Sequence, residues 1–256
     1  MELWKIIVLG AVQGLTEFLP VSSSGHLVLF SGILGETAAA DNLALALALH
    51  VGSALAVLAF YFKKILSLFR RGERKKLWYL VLATVPAALV GVFLEEQVEK
   101  LFSGTFLGFG FLFSAAILVF TENMAKAERT TREMNWKTAL SMGISQAVAV
   151  VPGLSRSGST VFGGTIAGGK REEVADFSFL MSIPVILGGT VYSALKDPLS
   201  SAIPFSYLTI GAVVAFLFAV LALFWMKNVI KRARYYGFAV YLFVLGVVTL
   251  VTTFFL

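Results

Sequence analysis

Long apolar runs separated by short charged clusters dominate this chain. Six stretches, 43–62, 77–94, 101–121, 177–195, 206–226 and 235–256, contain no Asp, Glu, Lys or Arg. Each is close to the ~20 residues that a helix needs to cross the hydrocarbon layer. The pattern therefore predicts six transmembrane helices, with Pro86 and Pro184 kinking two of them. Four shorter apolar runs do not fit as spans: 6–16 and 27–35 flank one polar elbow, and 138–150 and 157–169 flank another. Runs of this length predict half-helices that dip into the membrane and return. Broken backbone at that depth is tolerated only where it lines a polar cavity or is buried in protein.

The two elbows resemble each other. The first reads GAVQGLTEFLPVSSSG from Gly10 and the second GISQAVAVVPGLSRSG from Gly143. Gly10, Gln13, Ser22, Ser24 and Gly25 match Gly143, Gln146, Ser155, Ser157 and Gly158 at one constant offset, and Pro20 matches Pro152 with a slip of one. Three predicted spans lie between the copies. An odd number of crossings inverts the second copy, so the hairpins enter from opposite faces and their elbows meet near the midplane. The expected fold is an all-α polytopic membrane protein: six full transmembrane helices plus two re-entrant helical hairpins related by an inverted repeat. It forms a single membrane domain over 1–256, with repeat 1 at about 1–121 and repeat 2 at about 137–256.

Charge orients this arrangement. Loop 63–76 carries seven Lys and Arg, 122–137 four, 170–173 two and 227–234 four, and alternating spans place all of these loops on one side. By the positive-inside rule that side is cytoplasmic. The opposite side receives Lys5, Lys100 and Lys196, with Glu95, Glu96 and Glu99. The expected location is the inner (plasma) membrane, as a multi-pass protein. Composition agrees: 58% of residues are hydrophobic and 14% charged, against about 25% charged in an average soluble domain. Net charge is +6; loop topology accounts for it, and no nucleic-acid partner is expected. The chain has no cysteine, which excludes disulfides and thiolate metal sites. The N-terminus lacks the basic segment and cleavage site of a secretory leader and reads as mature protein.

Chemistry concentrates at the elbows. Gln13 and Glu17 are four residues apart and share a helix face. Glu17 is an acidic residue in an otherwise apolar run, and an intramembrane carboxylate is costly enough to mark function or an ion pair, here with Arg156. Ser22, Ser23, Ser24 and His26 follow. The second elbow, PGLSRSGST, offers Ser155, Arg156, Ser157 and Thr160. The guanidinium fork suits phosphate oxygens. Gly153 and Gly158 let backbone amides turn inward, and a helix starting near Gly158 would add its N-terminal amides. A Glu with a neutral Gln could hold Mg²⁺ or Ca²⁺ through oxygen. His50, inside the 43–62 span, reads first as a hydrogen-bonded interior residue, with a supporting role at the site as the alternative.

QGLTEFLPVSSSGH (13–26) and PGLSRSGST (152–160) resemble the two signatures of the integral-membrane undecaprenyl-diphosphate phosphatases, the bacitracin-resistance type. The resemblance implies hydrolysis of a polyprenyl diphosphate to the monophosphate, which recycles the lipid carrier for cell-wall synthesis. It further implies dependence on a divalent cation, a site opening toward the outer face, and a homodimer in contact with membrane lipids. Glu17, Ser23, His26 and Arg156 take the catalytic positions. Ser155, Arg156, Ser157 and Thr160 take the phosphate-binding ones, and Glu17 and Gln13 the metal-binding ones. Gln13 stands where many members carry a second Glu, leaving one less charge for metal. Whether Ser23 or an activated water attacks phosphorus stays open. The rival from another class is a transporter or flippase of the polyprenyl phosphate carrier, which inverted symmetry would also suit.

Overall fold

The computed structural model describes residues 1–36, 43–100, 104–126, 132–196, 201–232 and 234–255. These residues form twelve helices: α1 (Leu3–Phe18), α2 (Ser23–Ile33), α3 (Leu43–Phe60), α4 (Phe62–Leu68), α5 (Arg74–Phe93), α6 (Glu95–Glu99), α7 (Gly104–Lys126), α8 (Trp136–Val148), α9 (Arg156–Ile166), α10 (Arg171–Lys196), α11 (Phe205–Lys231) and α12 (Tyr236–Phe255). Six of them, α3, α5, α7, α10, α11 and α12, are long and apolar enough to cross a membrane. They coincide with the six expected spans, apart from residues 101–103 and 256, which lie outside the described residues. The protein is a multi-pass membrane protein.

The helices depart from expectation mainly at their ends. Loop 63–76 is not all loop: α4 takes up Lys63 and Lys64, and α5 starts at Arg74. The short α6 follows α5 directly. Helix α10 starts at Arg171, ahead of its apolar stretch, with Glu172 and Glu173 in its first turn, where carboxylates favour the helix N-terminus. Pro86 and Pro184 both lie inside helices, α5 and α10.

Helices α1, α2, α8 and α9 have 16, 11, 13 and 11 residues, too few to cross. Ser22 caps α2 by accepting the Gly25 N–H, and Ser155 caps α9 by accepting the Gly158 N–H. Such caps satisfy one of the amides that a helix start leaves free. Backbone hydrogen bonds from Arg132 N–H to Gly168 C=O and from Lys170 N–H to Arg132 C=O tie the segment before α8 to the end of α9.

The bundle exposes much apolar surface. Trp78, Phe93, Leu195 and Phe243 are all well exposed, as are Trp4, Trp136 and Trp225. In water such faces would be aggregation-prone, whereas here lipid covers them. All four tryptophans lie near helix ends, the level of the membrane interface. At the expected outer face, Glu95 accepts hydrogen bonds from Lys196 Nζ (2.7 Å) and Tyr192 Oη (3.1 Å). The Lys196 ammonium beside it holds the Glu95 carboxyl below the usual carboxylate range.

Packing depends on glycines where backbones meet. Helix α1 packs on α11, α11 on α3, α8 on α5, and α12 on α7. A Cβ at Gly14 would lie 2.3 Å from the Ala215 carbonyl oxygen, and one at Gly52 would lie 2.2 Å from that of Ala212. Neither contact can yield, because the obstacle is backbone. Small residues allowing close approach are a main source of helix association in lipid. Gly14→Val and Gly52→Val are expected to lower the unfolding temperature in detergent by several degrees. Gly91→Ala, with no atom within 4 Å of its added Cβ, should leave it unchanged or raise it slightly.

Candidate active site

The two elbows meet. Glu17, on the last turn of α1, accepts a hydrogen bond from Arg156 Nη2 at Oε1 (2.7 Å). Its other oxygen, Oε2, accepts from Ser23 Oγ (2.6 Å) and Gln13 Nε2 (3.0 Å). The Glu17 side chain is 5% exposed and that of Arg156 16%. Desolvating a carboxylate this far is very costly without a partner, and the partner comes from the other half of the chain. Ser23 and Arg156 hold the same place in their helices: each is the first residue of its short helix, just after the capping serine.

The first elbow is strained. Ser22 has φ 69°, the only positive φ among the described non-glycine residues. That region costs an L-residue about 1–2 kcal/mol, and such outliers cluster at functional sites. The conformation turns the chain so that Ser23 faces Glu17. At the second elbow the counterpart Ser155 has an ordinary φ of -79°, and the positive φ falls earlier, at Gly153 (80°), where glycine adopts it without that cost. Gly158 lies inside α9, which starts at Arg156, close to where the sequence suggested.

Beside the ion pair lies a cavity of about 330 Å³. Its walls include Glu17, the first turn of α2 (Ser22, Ser23, Ser24), and Ser155 and Arg156 at the start of α9. The far walls come from Ala46, Leu47 and His50 of α3 and from Gly189, Thr190 and Ser193 of α10. These belong to the ends of α3 and α10 remote from the basic loops, so the cavity lies toward the expected outer face. Two helix N-termini and one guanidinium converge on it, a strongly anion-attracting arrangement. Arg156 spends one N–H on Glu17. Its guanidinium carries five, which leaves donors for a ligand.

Not every expected residue reaches this cavity. Glu17, Ser23, Ser155 and Arg156 line it; Gln13, His26, Ser157 and Thr160 do not. Ser157 Oγ donates to the Leu19 carbonyl (2.9 Å), joining the elbows. Thr160 Oγ1 hydrogen-bonds the Arg156 and Ser157 carbonyls and Ser178 Oγ. Both are braces for the start of α9. His26 turns to a second, mostly apolar groove of about 750 Å³ between α1, α2, α11 and α12. Its Nδ1 bonds the Ser22 carbonyl (2.7 Å) and its Nε2 bonds Tyr241 Oη (2.7 Å). Conversely, Thr16, His50, Thr190 and Ser193 line the outer cavity although the sequence reading gave them no primary role. For His50 a signal existed, an ionisable group inside an apolar span.

The donors suit a hard cation in part. Glu17 and Ser23 offer oxygen, and Gln13, whose Nε2 turns to Glu17, keeps Oε1 buried without a hydrogen-bond partner. Among the described residues no three His, Cys, Asp or Glu side chains cluster. A dication held here would complete its coordination with phosphate oxygens and water, the usual habit of Mg²⁺.

A family model described as bacitracin resistance protein BacA matches residues 6–248. The chain belongs to this family. Among its relatives, a protein of Christiangramia forsetii named undecaprenyl-diphosphatase is 37% identical over 263 residues, which cover 98% of each chain. One of the same name from Bacteroides fragilis is 37% identical over 266 residues and 99% of each chain. Another, from Methanosphaera stadtmanae, is 35% identical over 275 residues and 98% of each chain.

The ion pair makes a stability prediction independent of catalysis. Arg156→Met leaves Glu17 buried and unpaired and is expected to cost up to about 3–5 kcal/mol, less whatever protonation of Glu17 recovers. Adding Glu17→Gln should restore most of the loss, read as unfolding temperature in detergent. A double variant no more stable than Arg156→Met would contradict a buried pair.

Proposed function

We propose that this BacA-family protein hydrolyses undecaprenyl diphosphate to undecaprenyl phosphate and orthophosphate, recycling the lipid carrier for cell-wall synthesis. The observation that carries the reading is the outer cavity, where an arginine and two helix N-termini face a serine held 2.6 Å from a buried carboxylate. Phosphoryl transfer asks a protein mainly for positioning and charge neutralisation, and these groups provide both. A carrier transporter would need the anion cradle but would have no use for a serine hydrogen-bonded to a base, so the hydrolase is the better reading.

In this mechanism Arg156, with Ser155 and the first amides of α2 and α9, holds the terminal phosphate. Glu17 Oε2 takes the Ser23 proton as Oγ attacks phosphorus. The bond to the bridging oxygen breaks, the lipid monophosphate leaves, and water cleaves the phosphoserine. Direct attack by a water activated at Glu17 is the competing route. Glu17 and Gln13 would hold a Mg²⁺ or Ca²⁺, which would supply charge neutralisation of the diphosphate. His26 contributes through the elbow, its ring fastened to the Ser22 carbonyl beside Ser23.

The architecture behind the site belongs to the same proposal: one membrane domain built as an inverted repeat with two re-entrant hairpins, α1–α2 and α8–α9. What supports it is register. Helices α1 and α8 start at 3 and 136, and α2 and α9 run 23–33 and 156–166, one common offset. Helix α1 packs on α11, as α8 packs on α5. Placement in the plasma membrane and pairing into a homodimer complete the picture; mass measurement in nanodiscs reads the pairing.

The test is phosphate release by purified, reconstituted protein given a prenyl diphosphate with Mg²⁺ or Ca²⁺. Glu17→Ala and Arg156→Ala are each expected to lower release by at least about 10³-fold while the protein stays folded. EDTA should lower it as well. Ser23→Ala should abolish any phosphoserine trapped by acid quench. Intact protein that moves the lipid but releases no phosphate would replace this reading with transport.

A further inference from the structure

His50 and His26 are the only histidines in the chain, and the structure exchanges the roles their positions suggest. His26, next to the serine cluster, turns to the other groove with both ring nitrogens engaged. His50, in the middle of an apolar helix, lines the outer cavity with Glu17, Ser23 and Arg156. Its Nδ1 lies 2.8 Å from the Ala46 carbonyl oxygen. A carbonyl only accepts, so Nδ1 carries a proton, and in the neutral ring Nε2 is left with its lone pair.

The backbone that carries this ring is tied to the site. The His50 carbonyl accepts a hydrogen bond from Ser53 Oγ (2.9 Å), and Ser53 is reached in turn by Gln13 Nε2 (3.5 Å), which bonds Glu17. Helix α3 is thus tied to the carboxylate by a short polar chain. The charged groups facing the cavity from the packed elements are Glu17 on α1 and Arg156 on α9. Helix α2 brings only serines, and α10 only Thr190 and Ser193 as polar groups. Glu17 already serves Ser23, Gln13 and Arg156, and besides Arg156, whose guanidinium stays charged, His50 brings the one basic nitrogen among the described residues that line the cavity.

We propose that His50 is a catalytic residue that takes the proton of the attacking water. The proposal rests on the phosphatase reading above. As the water oxygen bonds to phosphorus, its proton passes to Nε2. The bond between phosphorus and Ser23 Oγ breaks, its electron pair stays on Oγ, and Oγ regains from Glu17 the proton given up in the first step. Orthophosphate leaves, and protonated His50 releases its proton to water at the cavity mouth. General bases of this kind contribute about 10²–10⁴-fold.

The experiment compares His50→Gln and His50→Ala with unaltered protein in the reconstituted release assay. Gln keeps a side chain able to donate to Ala46 and guards against misfolding. The expected result is kcat about 10²-fold lower in both with KM nearly unchanged, phosphoserine accumulating on Ser23, and partial recovery of His50→Ala by added imidazole. A higher KM at unchanged kcat, or no recovery with imidazole, overturns the proposal by making His50 a binding or packing residue. If the unaltered protein releases no phosphate, the phosphatase reading itself fails. If it turns over and the variants match it, only the role of His50 fails.

Discussion

A carboxylate and a guanidinium, drawn from residues 139 apart in the chain, share one desolvated contact of 2.7 Å. Neither charge could stay in that place alone. Holding them together requires the end of α1 and the starts of α2 and α9 to converge on one point. The glycine contacts, the brace from Ser157 to Leu19 and the turn at Ser22 all serve that requirement. The same pair also prepares the site for an anion: a phosphate entering the cavity meets an arginine with donors to spare, and a carboxylate that already takes hydrogen bonds from Ser23 and Gln13.

The membrane path was legible because lipid imposes a simple rule, about twenty apolar residues per crossing, and 43–62 or 206–226 can scarcely be read otherwise. The elbows were legible for the opposite reason: Glu17 and Arg156 violate that rule, and violations in lipid are retained for a purpose. Short α4 and α6 were not legible, because seven and five residues carry no usable periodicity. Nor was the start of α10 ahead of its apolar run, since Arg171, Glu172 and Glu173 read as loop until they are seen in the first turn of the helix.

The histidines show the limit most sharply. Ser23 and His26 are three apart, about 60° from alignment on a helix, and by spacing alone they belong together. At the first turn of α2 that angle is enough to divide them between two cavities, and the Ser22 carbonyl and Tyr241 decide which one His26 enters. His50 is distant in sequence from every motif, and only the packing of α3 beside the elbows reveals where its ring points. Thr160 and Ser157 match the signature as well as Ser155 does, yet they stabilise the backbone of α9 instead of facing the cavity. A motif marks which residues matter without saying which of them meet the ligand.

On this mechanism the terminal phosphate of the lipid sits between Arg156 and Ser23 in the outer cavity, beside Glu17. An experimental structure with a non-hydrolysable prenyl diphosphonate tests it most directly. The terminal phosphonate is expected on the Arg156 guanidinium, within hydrogen-bond distance of Ser23 Oγ, with the His50 ring facing it. A phosphonate bound in the groove beside Tyr241, with the outer cavity empty, would contradict it.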